Sequence, residues 1–168
     1  MKKLIFGLFI FGLTIQAFAQ VTKVEKLSEV VIVATNYKYL NEVDAKEAAI
    51  PVEVLQRKVA AFDLKNSDFY EDEYDSYFVS FYIPEGKILA AYNKDGKIIR
   101  TVEKFKNIKL PVEVVQSVTK RFPGWTINED VYLVKYHHEE GVTKKYKLRL
   151  KNGDKIIKVK TDEEGVFL

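Results

Sequence analysis

The feature that most constrains the fold is a stretch that the chain carries twice. Tyr77-Phe78-Val79-Ser80-Phe81-Tyr82 leads through Pro84-Glu85-Gly86 to Ile88-Leu89-Ala90, then to Asn93-Lys94-Asp95-Gly96-Lys97-Ile98-Ile99. Shifted by 69 positions without a gap, it falls on Tyr146-Lys147-Leu148-Arg149-Leu150-Lys151, Ile157-Lys158-Val159 and Asp162-Glu163-Glu164-Gly165-Val166-Phe167-Leu168. Tyr77 lands on Tyr146, Ile88 on Ile157 and Gly96 on Gly165. A second echo lies upstream: Pro51-Val52-Glu53-Val54-Leu55-Gln56 returns 60 positions later as Pro111-Val112-Glu113-Val114-Val115-Gln116.

The upstream echo reads as a helix in each copy. Pro suits the first helical position, where its missing N–H is not needed. Val52, Leu55, Val59 and Phe62 recur at helical spacing, as do Val112, Val115, Thr119 and Phe122. Pro123-Gly124 must end the second helix. The downstream echo reads as strands. Tyr77–Ile83 and Lys87–Asn93 form a hairpin about Pro84-Glu85-Gly86, and Asp95-Gly96 turns into a third strand, Ile98–Phe105. In the second copy the strands are Trp125–Tyr136, Val142–Lys151 and Ile156–Lys160, the last two joined at Asn152-Gly153.

The expected class is therefore α+β: a tandem repeat of one helix packed on an antiparallel sheet of three to four strands. The repeats span 51–106 and 107–168, as one body or two joined lobes. Residues 20–50 stand outside the repeat, with a β-branched strand at Glu29-Val30-Val31-Ile32-Val33-Ala34-Thr35, extending to Leu40, and then a linker with a helical turn or two.

Residues 1–19 read as a signal peptide. Lys2-Lys3 is the basic end, Leu4–Ile15 the apolar stretch, and Ala17-Phe18-Ala19 a small-x-small site for cleavage before Gln20. The apolar run is shorter than the roughly 20 residues a membrane span needs. The expected location is periplasmic or secreted, with no spanning segment after cleavage. Losing Lys2 and Lys3 takes the net charge from +3 to +1, which does not argue for nucleic acid. The absence of Cys removes a disulfide framework, thiolate metal ligands and a Cys nucleophile.

No catalytic residue, metal site or cofactor is assigned. The chain contains no Gly-x-Ser-x-Gly, no phosphate-binding loop and no dinucleotide fingerprint. On a regular strand His137 and His138 point to opposite faces, so the pair reads as solvated turn residues. Asp68, Glu71, Asp72, Glu73 and Asp75 lack the spacing of a calcium loop and read as an acidic edge. Trp125, after Pro123-Gly124, reads as an apolar plug.

The ordered set Leu110-Pro111, amphipathic helix, Phe122-Pro123-Gly124-Trp125, strand, Tyr146-Lys147-Leu148 and Asp162-Glu163-Glu164-Gly165 resembles the PepSY-like domains of exported Bacteroidetes-type proteins, which are similar in fold to beta-lactamase-inhibitor proteins. The match is good over 110–168 and weaker over 51–105. The resemblance implies a tandem helix-on-sheet fold in the cell envelope and carries over no catalytic residue. Chains of this kind also attract the label nicotinate-nucleotide adenylyltransferase. That alternative needs a His-x-Gly-His signature, which this chain lacks.

Comparing the copies yields candidate sites. Strand alternation puts Tyr77, Val79, Phe81, Tyr146, Leu148 and Leu150 on one face, apolar in both copies, which should meet the helices. On the other face the second copy has Lys147, Arg149, Lys151, Lys158 and Lys160, while the first has Phe78, Ser80, Tyr82, Leu89 and Ala91. The first set is a candidate surface for an anionic partner. The second asks for a cover, either residues 27–49 of the same chain or a partner protein of the envelope. The most economical function is a non-catalytic binding module that uses its sheet faces.

Overall fold

The computed structural model describes residues 35–44 and 48–168. The signal-peptide expectation, nearly all of the strand expected at Glu29–Thr35, and residues 45–47 of the linker lie outside the described residues. Among the described residues, three helices pack on one six-stranded antiparallel sheet. In chain order they are α1 (Tyr37–Val43), α2 (Ile50–Ala60), β1 (Ser76–Ile83), β2 (Gly86–Asn93), β3 (Ile98–Lys106), α3 (Val112–Arg121), β4 (Thr126–His137), β5 (Gly141–Asn152) and β6 (Lys155–Thr161). The strands lie side by side in sequence order, and β3 pairs with β4, so a single sheet runs through both halves.

The two hairpins share their register position by position. Tyr77 pairs Tyr92, Val79 pairs Ala90 and Phe81 pairs Ile88; 69 residues on, Tyr146 pairs Thr161, Leu148 pairs Val159 and Leu150 pairs Ile157. The turns that follow share their closing bonds. The Asn93 N–H donates to Lys97 O at 2.9 Å, and the Asp162 N–H to Val166 O at 3.0 Å. The Lys97 N–H reaches Asn93 Oδ1 at 2.9 Å, and the Val166 N–H reaches Asp162 Oδ1 at 2.8 Å. Gly96 and Gly165 both adopt φ +78°, which glycine enters without steric cost.

The shared apolar face is the core, as alternation required. Tyr77, Phe81, Ile88, Tyr92, Phe105, Tyr132, Val134, Tyr146, Leu148 and Leu150 are buried under the helices. From α2, Val52, Leu55 and Val59 are buried, with Phe62 partly so. The corresponding expectation for α3 is corrected. Val112 and Val115 are exposed, as is Thr119, and the buried residues are Val114 and Val118. Pro51 lies inside α2, whereas Pro111 is the residue before α3 begins. The two echoes thus enter their helices out of phase, and a shift of two residues turns a helix by about 200°.

The N-terminal segment is also corrected. Tyr37–Leu40, expected to continue a strand, is helical. Tyr39 and Val43 of α1 are buried, and Tyr39 packs edge-on against Tyr136 at 5.2 Å. Asn36 joins this helix to the first unit, donating to Ala60 O at 3.1 Å and accepting from the Ile98 N–H at 2.8 Å. Lys144 anchors the other end by donating to Asp44 O at 2.9 Å.

Candidate functional site

The helices occupy one side of the sheet, and the other side is open among the described residues. The ladder registers place the expected partner residues together. Phe78 faces Ala91 across β1–β2, Ser80 faces Leu89 and Tyr82 faces Lys87. Phe78 is 58% exposed, Tyr82 65% and Leu89 42%. Ser80 is exposed too. Ala91 departs from this group: it is only 3% exposed. Its cross-strand neighbours are Phe78 and Arg100, and the Arg100 guanidinium lies 5.4 Å from the Phe78 ring centroid. The two long side chains close over the methyl between them, a cation–π contact that buries Ala91 from outside.

Residues 35–44 do not cover this surface. Tyr39 reaches Glu103 and Tyr136 on the inner side of the sheet, so α1 sits opposite Phe78 and Tyr82. The part of the expected cover that is described therefore belongs to the core side. Residues 27–34 lie outside the described residues.

The open face continues beyond the expected set. Leu89 pairs Val102, which is 49% exposed, and Val102 pairs Lys135. Lys87 pairs Lys104, which pairs Leu133. From Arg100 to Lys106 β3 alternates regularly, so Thr101, Glu103 and Phe105 point inward and Val102 and Lys104 outward; the ladder slips only ahead of this run, between Ala91 and Tyr92.

The five expected cations fall at the other end of the same face. Lys147 pairs Lys160 and Arg149 pairs Lys158. Lys147, Lys151, Lys158 and Lys160 are exposed, and Arg149 is half-buried, with Nη1 3.0 Å from Glu129 Oε1. Lys147, Arg149, Lys158 and Lys160, with Glu129, Val131 and Ile156, edge a groove of about 590 Å³. Such a groove offers anion recognition along its rim and apolar contact at its floor.

Glu103, which sequence reasoning missed, is fully buried on the inner face. Its carboxylate accepts hydrogen bonds from the Tyr39 hydroxyl, the Thr101 hydroxyl and Gln56 Nε2, each at 2.8 Å. Burial pushes its pKa up, against the opposing pull of those donors and of the Lys144 charge. Tyr39 is pushed well up in turn, first by burial and then by the neighbouring carboxylate. The cluster ties α1, α2 and β3 together; a buried carboxylate so fully occupied by protein donors is placed for structure.

His137 and His138 do not alternate across the sheet, because β4 ends at His137. Their rings lie 5.0 Å apart, and His138 Nε2 is 3.6 Å from Glu139 Oε1. Among the described residues no group of three or more His, Asp or Glu side chains is placed to hold a metal. Trp125 packs against the core, as expected of a plug. Among the described residues no helix is long and apolar enough to cross a membrane.

No family model and no curated protein matches the chain. A solved structure of a BLIP-like protein from Bacteroides fragilis NCTC 9343 is similar over 58% of this chain and 68% of that one, at 14% identity and a TM-score of 0.32. A likeness that weak decides nothing about fold or function, which rest on the residues themselves.

Proposed function

We propose that this chain is an exported, non-catalytic binding module of the cell envelope, and that it takes a protein partner on the open face of its sheet. It consists of two PepSY-like units, 51–106 and 107–168, preceded by a signal peptide cleaved between Ala19 and Gln20 and by the segment 20–50. The tandem arrangement is supported by the matching registers of β1–β2 and β5–β6 and by the matching turns at Asn93–Lys97 and Asp162–Val166. Export is supported by the pattern of residues 1–19.

One observation carries the binding role. Phe78, Tyr82 and Leu89 stay exposed together, where the second unit presents Lys147, Lys151 and Lys158, and the exposed Val102 of β3 extends the patch. Scattered surface hydrophobics need no explanation, but a contiguous aromatic and aliphatic patch rimmed by charge marks an interaction surface. Lys87, Arg100, Lys104 and Lys135 form that rim.

The test is a pair of substitutions, Phe78→Ser with Tyr82→Ser. Envelope extract passed over the immobilised chain should yield a partner that the double variant does not retain, while thermal unfolding is unchanged. If the variant unfolds, the face is core; if it still retains the partner, the binding surface lies elsewhere. Mass spectrometry of the chain recovered from its host should find Gln20 at the N-terminus.

A further inference from the structure

The chain carries two oppositely charged surfaces that are incomplete in the same complementary way. The first is the groove at β4–β6, with Lys147, Arg149, Lys158 and Lys160 around a floor of Val131 and Ile156. Apart from the contact of Arg149 with Glu129, these cations form no salt bridge among the described residues. The second is the loop before β1, where Asp68, Glu71, Asp72, Glu73 and Asp75 alternate with aromatic side chains. None of the five carboxylates is in a salt bridge among the described residues. Phe69 and Tyr74 within it are more than half exposed.

The loop is an ordered ligand. The Tyr70 hydroxyl donates to Asp72 Oδ1 at 3.2 Å, and the Tyr77 hydroxyl donates to Glu71 O. Tyr70 stacks on Tyr77 at 5.4 Å. Holding the loop in place lowers the entropy cost of docking it. The loop also cannot reach the groove of its own chain. It enters β1, one edge of the sheet, while the groove spans β4–β6 toward the opposite edge. Three to five interstrand steps separate them, roughly 14–24 Å at about 4.8 Å each.

We propose that the cationic groove at β4–β6 receives the acidic-aromatic loop 68–75 of a second copy of this chain. This builds on the reading of the open face as a protein-binding surface and names one occupant for its basic end. Carboxylates meet Lys147, Lys158 and Lys160, and an aromatic ring covers Val131 and Ile156. Because each copy has its loop and its groove on different patches, the contact is head-to-tail, and it extends from copy to copy unless the rotation closes a ring. Such a contact between exposed charges is weakened by salt.

Two charge-reversed variants test this by sedimentation of the purified chain over a range of concentrations. At low ionic strength the wild-type mass should rise above monomer with concentration and fall back as salt is added. Lys158→Glu with Lys160→Glu removes the groove, and Asp72→Lys with Glu73→Lys removes the loop, so each variant alone should stay monomeric. An equimolar mixture should associate again, because the first variant's intact loop meets the second's intact groove and the second's basic loop meets the first's acidic groove. That association also shows that both variants are folded. A wild-type chain monomeric at every concentration, association that survives in either variant, or a mixture that stays monomeric overturns the proposal. Phe78→Ser with Tyr82→Ser should leave this self-association intact, so loss of the envelope partner and loss of copy-to-copy contact are read separately.

Discussion

The hairpins β1–β2 and β5–β6 are built on one register and one turn, yet they meet water differently. Their inner faces are interchangeable in kind: Tyr77, Phe81 and Ile88 against Tyr146, Leu150 and Ile157. Their outer faces are opposed. Phe78, Ser80, Tyr82, Leu89 and Ala91 in the first stand where Lys147, Arg149, Lys151, Lys158 and Lys160 stand in the second, and Lys87 stands where Ile156 does. The inner face is held by burial, worth roughly 1.5–3 kcal/mol for each fully buried large apolar side chain. The outer face is nearly free of that constraint, so side chains there can vary with what they touch while the ladder beneath stays fixed.

The comparison breaks most severely at Glu103, which has no equivalent in the second hairpin. Glu103→Leu leaves the donors of Tyr39, Gln56 and Thr101 without their acceptor, at about 1–3 kcal/mol each. A total loss of roughly 3 kcal/mol or more should appear in urea unfolding. The isosteric Glu103→Gln isolates the charge. Because burial raises its pKa, the folded chain holds this proton more tightly than the unfolded chain does. The native contribution is therefore complete below the unfolded carboxylate value and is lost as pH rises from there through the folded one. Stability of the wild type relative to Glu103→Gln should fall over that rise, and a flat difference would show that the carboxyl titrates normally.

Next in size are the two matched glycines. Both Gly96 and Gly165 have φ +78°, so alanine costs on the order of 1 kcal/mol at either through backbone strain. Around Gly96 the nearest atom to an added Cβ is Leu64 Cβ at 4.0 Å, whereas at Gly165 it would meet Glu113 O and Ser117 Oγ at 2.6 Å. Gly165→Ala should therefore destabilise clearly more than Gly96→Ala in thermal melts. Equal effects would mean that α3 yields.

A smaller effect separates two neighbours on the outer face. Leu89→Lys, at an exposed site, should stay within about 0.5 kcal/mol of wild type, and Ala91→Lys should cost about 1–3 kcal/mol by parting Phe78 from Arg100. Smallest of all, Glu129→Gln should lose about 0.2–1 kcal/mol, and less in high salt, because its pair with Arg149 is exposed.

Much of this was legible from residue order alone. Alternation in Tyr77–Tyr82 and Tyr146–Lys151 set the inner face correctly, because the two copies agree only at buried positions. Gly96 and Gly165 marked turns of one kind. What escaped depended on partners distant in sequence. Tyr37–Val43 follows a β-branched run and forms a helix whose buried Tyr39 and Val43 meet the core. The buried face of α3 is carried by Val114 and Val118, spaced i, i+4, rather than by Val112 and Val115, a competing stripe in the same run of valines. Glu103 was not singled out, because two of the three donors that hold its carboxylate, Tyr39 and Gln56, are distant in sequence. On the candidate face, Phe78, Tyr82 and Leu89 are exposed as alternation implies, while Ala91 is covered, since the ring and guanidinium that close over it come from β1 and β3.

Every strand in the sheet pairs with its neighbour in sequence, and this bears on how the chain folds. No crossover has to be threaded and no strand waits for a distant partner, so each added hairpin closes only a short loop. Such local pairing favours fast folding. The seam between the halves is the β3–β4 ladder, which forms across Asn107–Pro111 and α3. Either half can begin without the other, and that ladder is where two separately growing pieces become one cooperative unit.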